Sequence, residues 1–357
     1  MRIAVDAMGG DKGPRATVAG AARAVIEDPQ LDIQLFGPAG LLDDEISRLP
    51  RPLAAAASHL HLCDAPDIIP ADMRASQALR RGHASSMARM LDCVAAGEAD
   101  VGVSSGNTGA LMALSRRALG MVPGVPRPAI STAIPTRGDG RCYLLDLGAN
   151  VDVSAERLVD FALMGDIMAR HVDGLAAPRI ALLNVGVEST KGSLAVQQAD
   201  AALRQVAGID YLGFIEGDGV FAGQADVVVC DGFVGNVLLK ASEGLAKMLV
   251  GRVQATFEAH WGSRLVGMLA RPALRRLKSE LDPVRYNGAS LLGLAGIVIK
   301  SHGSCDAQGF YYALKRASQE VSRDLPSRLE AELDHRRPSS GPLSGGSVDM
   351  DDGQQEL

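Results

Sequence analysis

Short apolar runs rich in β-branched residues alternate along this chain with longer stretches whose apolar positions recur every three or four residues. The short runs predict strands over 2–7, 32–36, 100–104, 142–147, 179–185, 210–215, 225–230 and 296–301. The longer ones predict helices over 14–27, 84–97, 108–120, 154–171, 192–207 and from 234 to about 260. Pro14 suits the opening turn of the first helix, on which Val18, Ala22 and Val25 share a face. Such alternation predicts a mostly parallel sheet covered on both faces, a three-layer α/β/α sandwich. A single α/β catalytic domain is expected over 1–335, with 240–285 as a helical protrusion. The last stretch, 336–357, is Pro, Ser, Gly and acid without apolar pattern and reads as a disordered tail.

Polar, glycine-rich loops follow the predicted strands: AVDAMGGDKGP (4–14), VGVSSGNTGA (101–110), LLDLGANVD (144–152), LLNVGVESTKG (182–192), VVVCDGFVGNVLLK (227–240) and IVIKSHGS (297–304). In a parallel sheet the loops after the strands share one edge, where ligands bind. Glycines admit close backbone approach, and N–H groups at helix starts attract anions. Corner turning alone does not call for Asn107, Asn150, Lys191, Asp231, Asn236 and His302. The pattern predicts a polar cleft for phosphate or an anionic substrate.

Composition narrows the class. The chain has 357 residues, 47% apolar but only 4% aromatic, so its core must be aliphatic. A net charge of −6 argues against nucleic-acid binding. Met1-Arg2 leads straight into a strand and no apolar run is long enough to span a bilayer, so a cytoplasmic protein is expected. The five cysteines lack metal-ligand spacing and read as small buried hydrophobes; only Cys305, beside the His302 loop, is a candidate reactive thiol, expected to be inert. One segment departs from the acidic background: over 261–285 six cations stand against two acids, with Leu265, Met268 and Leu269 as an apolar group. That combination fits an anionic membrane surface, an acidic partner or a subunit interface.

Single motifs leave alternatives open. No G-x-G-x-x-G or G-x-x-x-x-G-K-[ST] loop is present, which removes the usual support for nicotinamide or nucleoside triphosphate. Gly102-Val103-Ser104-Ser105-Gly106 matches G-x-S-x-G, and Asp231 and His302 follow in the order a serine hydrolase or thioesterase needs. Lys191 either neutralises phosphate or pairs with Glu188 at the surface, and Asp231 is either a catalytic group or a helix cap. The Leu291-Leu292-Gly293-Leu294 stretch fits an acyl-channel wall or ordinary core.

Taken in order, DAMGGDKGP, SSGNTGALM, LDLGANVD, NVGVESTKG, VCDGFVGNVLLK and YNGASLLGLAGIVIKSHG resemble the motifs of the bacterial phosphate acyltransferase family of phospholipid synthesis, over about Arg2 to Arg328. Ser105, Ser189 and Asp306 are small departures from the family pattern. The resemblance implies a fold like phosphotransacetylase and the isocitrate/isopropylmalate dehydrogenases, and a homodimer without cofactor or metal. It implies acyl transfer from acyl-acyl carrier protein to inorganic phosphate, at a site peripherally attached to the membrane, where acyl phosphate passes to a membrane glycerol-3-phosphate acyltransferase. Lys191, Asp231, Asn236 and His302 become the expected catalytic residues, with Gly9, Gly10, Asn107, Thr108, Asn150, Glu188, Gly232 and Gly303 around the phosphate and acyl group. Asp231 is expected to hold Asn236 or His302 in place. Leu265, Met268, Leu269, Arg271 and Arg275 become the expected membrane contact.

Overall fold

A computed structural model describes residues 1–138, 140–258, 260, 266, 268, 270–271 and 283–336. The strands are β1 (Arg2–Asp6), β2 (Asp32–Gly37), β3 (Leu60–Asp64), β4 (Val101–Ser104), β5 (Ala129–Pro135), β6 (Arg141–Leu145), β7 (Arg179–Leu183), β8 (Asp210–Ile215), β9 (Val227–Val229), β10 (Ala289–Leu292) and β11 (Ile297–Lys300). The helices are α1 (Gly13–Glu27), α2 (Ala39–Ser47), α3 (Arg51–Ala54), α4 (Ala75–Arg81), α5 (Ser86–Ala95), α6 (Thr108–Leu119), α7 (Ala155–Asp173), α8 (Leu194–Leu203), α9 (Gly217–Ala222), α10 (Gly232–Glu258), α11 (Ala307–Ser322) and α12 (Leu325–Arg336). All eight strands and six helices expected from the pattern are present.

The strands form one sheet in the order β3-β2-β1-β4-β11-β10-β5-β6-β9-β7-β8. Pairing is parallel within β3-β2-β1-β4-β11 and within β6-β9-β7-β8. The pairings β11–β10, β10–β5 and β5–β6 are antiparallel. Three reversals set the two halves running in opposite directions, so their carboxyl ends do not share one edge as a uniformly parallel sheet requires. Register brings those ends together in another way. Val5, Val103, Ile299, Ser290, Ser131, Leu145, Val229 and Leu182 form one continuous cross-strand row. The strands of both halves therefore end on the same line, approached from opposite sides.

Two helical layers cover the sheet. On the face of that row, α1 and α11 pack over Ile3, Val5, Val103 and Ile299, and α7 over Leu145, Val227 and Val229. Residues one position away point to the opposite face, because side chains alternate along a strand. There α5 and α6 cover Ala4 and Val298, while Leu238 and Leu239 of α10 rest on Ile130, Ile134, Cys142 and Leu144. Leu291 and Leu294 lie in the α5–α6 core and Leu292 under α7, so this stretch is packing rather than a channel wall.

Among the described residues no helix is long and apolar enough to cross a membrane. Of the expected protrusion, 259, 261–265, 267, 269 and 272–282 lie outside the described residues. So does the expected tail, apart from Arg336, whose Nη1 donates to buried Asp166 at 2.5 Å.

Candidate active site

Asp6, Ser104 and Lys300 end three adjacent strands and stand in one register row on the α10 face. Asp6 is buried and accepts from Ser86 Oγ and Ser104 Oγ, each at 2.6 Å. Burial raises its carboxyl above the usual range, against the pull of those two hydroxyls. Lys300 Nζ donates to the carbonyls of Ser105 and Ser301, and burial lowers its pKa to about 8. Above this row three loops touch. A Cβ on Gly9 would lie 2.5 Å from Gly106 N, and one on Gly10 (φ +85) 2.7 Å from Gly303 O. Asp11 N–H donates to Gly303 O at 2.7 Å. Only glycine permits so close an approach, which explains the glycine-rich first loop.

A second junction forms where β6 and β9 end. Asp146 is fully buried and accepts from the N–H groups of Ile130, Leu147 and Asn150 and from Asn150 Nδ2, at 2.6 to 3.0 Å. Gly232 and Gly235 bring the start of α10 onto this hub: a Cβ on Gly232 would meet Asn150 O at 2.4 Å, and one on Gly235 would meet Asp146 O at 1.9 Å. Asn236 then lies beside Gly148, its Nδ2 3.6 Å from where a Cβ on that glycine would stand.

The two junctions are three strand spacings apart, about 14 Å across the sheet, and α10 connects them. One turn after Asn236, Lys240 Nζ lies 3.3 Å from His302 Nε2. Glu243 Oε2 is 3.0 Å from Lys240 Nζ and 3.7 Å from His302 Nε2. His302 and Lys240 hold the Glu243 carboxyl down at about 2. Asn287 Oδ1 accepts from His302 N–H at 2.9 Å, and Ser304 N–H points at His302 Nδ1 at 3.2 Å.

The expected site residues therefore divide. Gly9, Gly10 and Gly303 meet at the first junction, where His302 reaches Lys240 of α10; Asn236 lies on α10 at the second junction beside Gly148, and Gly232 seats that helix's first turn. Asn107 is spent elsewhere: its Oδ1 caps α6 through Ala110 N–H and its Nδ2 holds the carbonyls of Ala71 and Met73. Thr108 follows in the first turn of α6 and is exposed. Asn150 is buried against Asp146 and Pro128, as scaffold. Asp231 accepts from Val153 N–H at 3.1 Å and Phe233 N–H at 2.8 Å, so it caps the start of α10 instead of holding Asn236 or His302. Lys191 and Glu188 share the exposed loop after β7, tied by Lys191 N–H to Glu188 O at 3.0 Å. Among the described residues, no contact joins Lys191 to Asn236 or His302.

The hydrolase triad is not assembled. Ser104 is fully buried and donates to Asp6, while Asp231 and His302 bond to other groups. Cys305 is half-buried, and burial raises its thiol pKa. Asp6, Lys240, Glu243, Asn287 and Lys300 were not anticipated. A lysine closing the apolar run Ile297-Val298-Ile299 was the available signal for Lys300, and the three-residue spacing of Lys240 and Glu243 beyond Asn236 was that for the helix pair.

A sheet of this order, with ligand-accessible loops along its central row, defines an α/β fold of the phosphotransacetylase type. A phosphotransacetylase from Streptococcus pyogenes matches 90% of this chain and 94% of its own at a TM-score of 0.59, with 17% identity. The chain belongs to the phosphate acyltransferase family: the family model described as fatty acid synthesis protein matches residues 1–328. It is 51% identical to a phosphate acyltransferase of Stutzerimonas stutzeri strain A1501, over 98% of this chain and 96% of that one. With a phosphate acyltransferase of Pseudomonas syringae pv. tomato strain DC3000 the identity is 52%, over 93% and 96%.

Proposed function

We propose that the chain transfers a fatty acyl group from acyl carrier protein to inorganic phosphate, giving an acyl phosphate for phospholipid synthesis. Family membership and the phosphotransacylase-like fold support acyl transfer to phosphate. The observation that carries the chemistry is the His302–Lys240–Glu243 cluster set on the Gly9/Gly10/Gly303 junction, with Lys300 beneath it. A phosphate oxygen attacks the thioester carbonyl carbon, the new C–O bond forms, and the C–S bond breaks as the oxyanion collapses. The carrier leaves as a thiolate whose conjugate acid has a pKa of about 8.5, so no strong general acid is needed. The harder task is to hold a hydrated dianion against a carbonyl, and preorganised cations and N–H donors do this. Lys240 and Lys300 supply positive charge, Asn236 and His302 orient the phosphate or support the oxyanion, and Lys191 draws phosphate in from the loop after β7.

Thioester loss measured with and without phosphate tests the reading. Turnover should require phosphate. Equal consumption in phosphate-free buffer, with labelling by a fluorophosphonate, would establish a hydrolase instead. Lys191→Ala should raise the KM for phosphate about tenfold with kcat nearly unchanged, the signature of lost ground-state binding. An unaltered KM removes Lys191 from the site.

The same proposal includes a homodimer and a peripheral contact with anionic membrane, where a glycerol-3-phosphate acyltransferase receives the product. On α10, Phe233, Val237, Leu245, Met248 and Leu249 are 52–63% exposed, an apolar load that supports pairing with a second copy. Met268 is 68% exposed and Arg271 is exposed, consistent with the lipid contact; Leu265, Leu269 and Arg275 lie outside the described residues. Replacing Leu265, Met268 and Leu269 together by Ser should weaken binding to anionic vesicles at least tenfold, on the order of 1 kcal/mol per side chain withdrawn from the interface. Vesicle flotation checks this, and unchanged flotation discards the contact.

A further inference from the structure

We propose that the cavity between the β5–β6 hairpin and α11 is a second anion site, one that takes a small ligand carrying a phosphoryl group. Ser131 and Tyr143 line it from the sheet, Lys315 and Arg316 from α11, with Arg141 and Arg285 at its margins. Its volume is about 180 Å³, room for roughly six waters at about 30 Å³ each and so for a phosphoryl group with a short organic body.

Charge and orphaned polar atoms both point to an anion. The lining holds four cations and no carboxylate. Just behind it, Asp173 pairs with Arg141 and Arg316, and Glu320 pairs with Arg316 at 2.7 Å, which offsets two of the four. Among the described residues, Lys315 and Arg285 are exposed and make no ion pair. Within the wall, Ser131 is 1% exposed and its Oγ has no hydrogen-bond partner among the described residues. Arg316 Nη2 is likewise buried without one, although Nε and Nη1 of the same guanidinium are bonded to Glu320 and Tyr143. A buried donor left unpaired costs about 1–3 kcal/mol, and both donors belong to residues that line this one basic cavity, where a phosphoryl oxygen would serve them as acceptor. A guanidinium N–H and a hydroxyl are suitable donors for it.

Strand parity separates this cavity from the acyl-transfer cleft. Ser131, Ala133, Arg141 and Tyr143 alternate with Ile130, Ile134, Cys142 and Leu144, which pack against the α10 side of the sheet. His302 and Lys240 belong to that α10 side, so the cavity and the cleft lie back to back. The separation rests on the cleft assignment made under the proposed function. Asn287 bridges the two places: it lines the cavity, accepts from His302 N–H and donates to Ser301 Oγ.

Isothermal titration of the full chain with inorganic phosphate, and separately with glycerol 3-phosphate, reads the site without relying on turnover. The R285Q/K315Q double variant removes two exposed cations; Ser131→Ala removes the orphaned hydroxyl with little change of volume. Both should weaken at least one of the two ligands about tenfold, the effect of losing a charge-assisted or buried hydrogen bond. Their melting temperatures and the KM for phosphate in turnover should stay near wild type. Lys191→Ala should show the reverse, which separates failure of the cleft assignment from failure of this site. Binding of glycerol 3-phosphate that inorganic phosphate does not displace identifies an ester ligand; displacement identifies the free anion. If neither ligand binds at millimolar concentration, or both bind wild type and the two variants equally, the proposal is overturned.

Discussion

Gly235→Ala should destabilise the fold by about 3 kcal/mol or more and leave whatever remains folded without activity. The new methyl would stand 1.9 Å from Asp146 O and 2.8 Å from Cys230 Sγ. Neither neighbour can yield. The Asp146 backbone is fixed by the four donors its own carboxylate collects and by Asp146 N–H to Cys230 O at 3.0 Å. The helix must therefore lift away, and overpacking of this severity lies at the upper end of the usual 1–3 kcal/mol, roughly. Lifting the first turn carries Asn236 off Gly148, and Lys240 and Glu243 off His302, so stability and the site fail together. Gly244→Ala on the same helix is the control. A Cβ there meets nothing within 4 Å, and exchanging helical Gly for Ala gains about 0.5–1 kcal/mol. Thermal melts of both variants check this: a wild-type melting temperature for Gly235→Ala would show that the helix start does not sit on Asp146 as described.

The strands legible in the sequence were those whose apolar residues run unbroken, such as Ile297-Val298-Ile299 and Val227-Val228-Val229. The three missed strands lack that mark for identifiable reasons. β3 lies at the sheet edge with His61 and Leu62 exposed, and β5 mixes Ser131 and Thr132 with Ile and closes on Pro135. β10 is four residues between glycine-containing loops. Two of these three carry the antiparallel reversals, so the omission also hid the opposed halves. The strand ends of both halves still lie on one row, because register, which composition does not encode, aligns them.

The site was legible as loops but not as side-chain roles. Asn107, Asn150 and Asp231 sit at the expected junctions, Asn107 and Asp231 bonded to backbone groups at helix starts and Asn150 to the Pro128 carbonyl and the buried Asp146 carboxylate. Short Asn and Asp side chains reach their own backbone before they reach a ligand, and sequence alone does not distinguish a cap from a ligand group. The candidate residues that the pattern does not mark come together over longer separations. Glu243 and His302 are 59 positions apart in the chain, and only the path of α10 across the sheet makes them neighbours.

Lys300→Met should lower kcat/KM for phosphate about 10²- to 10³-fold, the usual cost of deleting one preorganised cation or donor, without lowering stability at pH 7. The two effects have one origin. Burial holds the Lys300 pKa near 8, below the unfolded value of about 10.4. A lysine shifted downward binds its proton less tightly when folded, so its charge opposes folding below pH 8, and the penalty fades as pH rises toward 10. It amounts to about 3 kcal/mol at neutral pH, which Met would remove while vacating the bonds to Ser105 and Ser301 carbonyls. Wild-type activity should fall as pH rises through about 8, because the ammonium form is the one that attracts phosphate. In Lys300→Met the residual activity should lose that descending limb. Paired pH–rate profiles and melts decide the matter. A limb that persists in the variant assigns the titration to another group, and a melting temperature well below wild type makes Lys300 a tie between two loops, with no share in the chemistry.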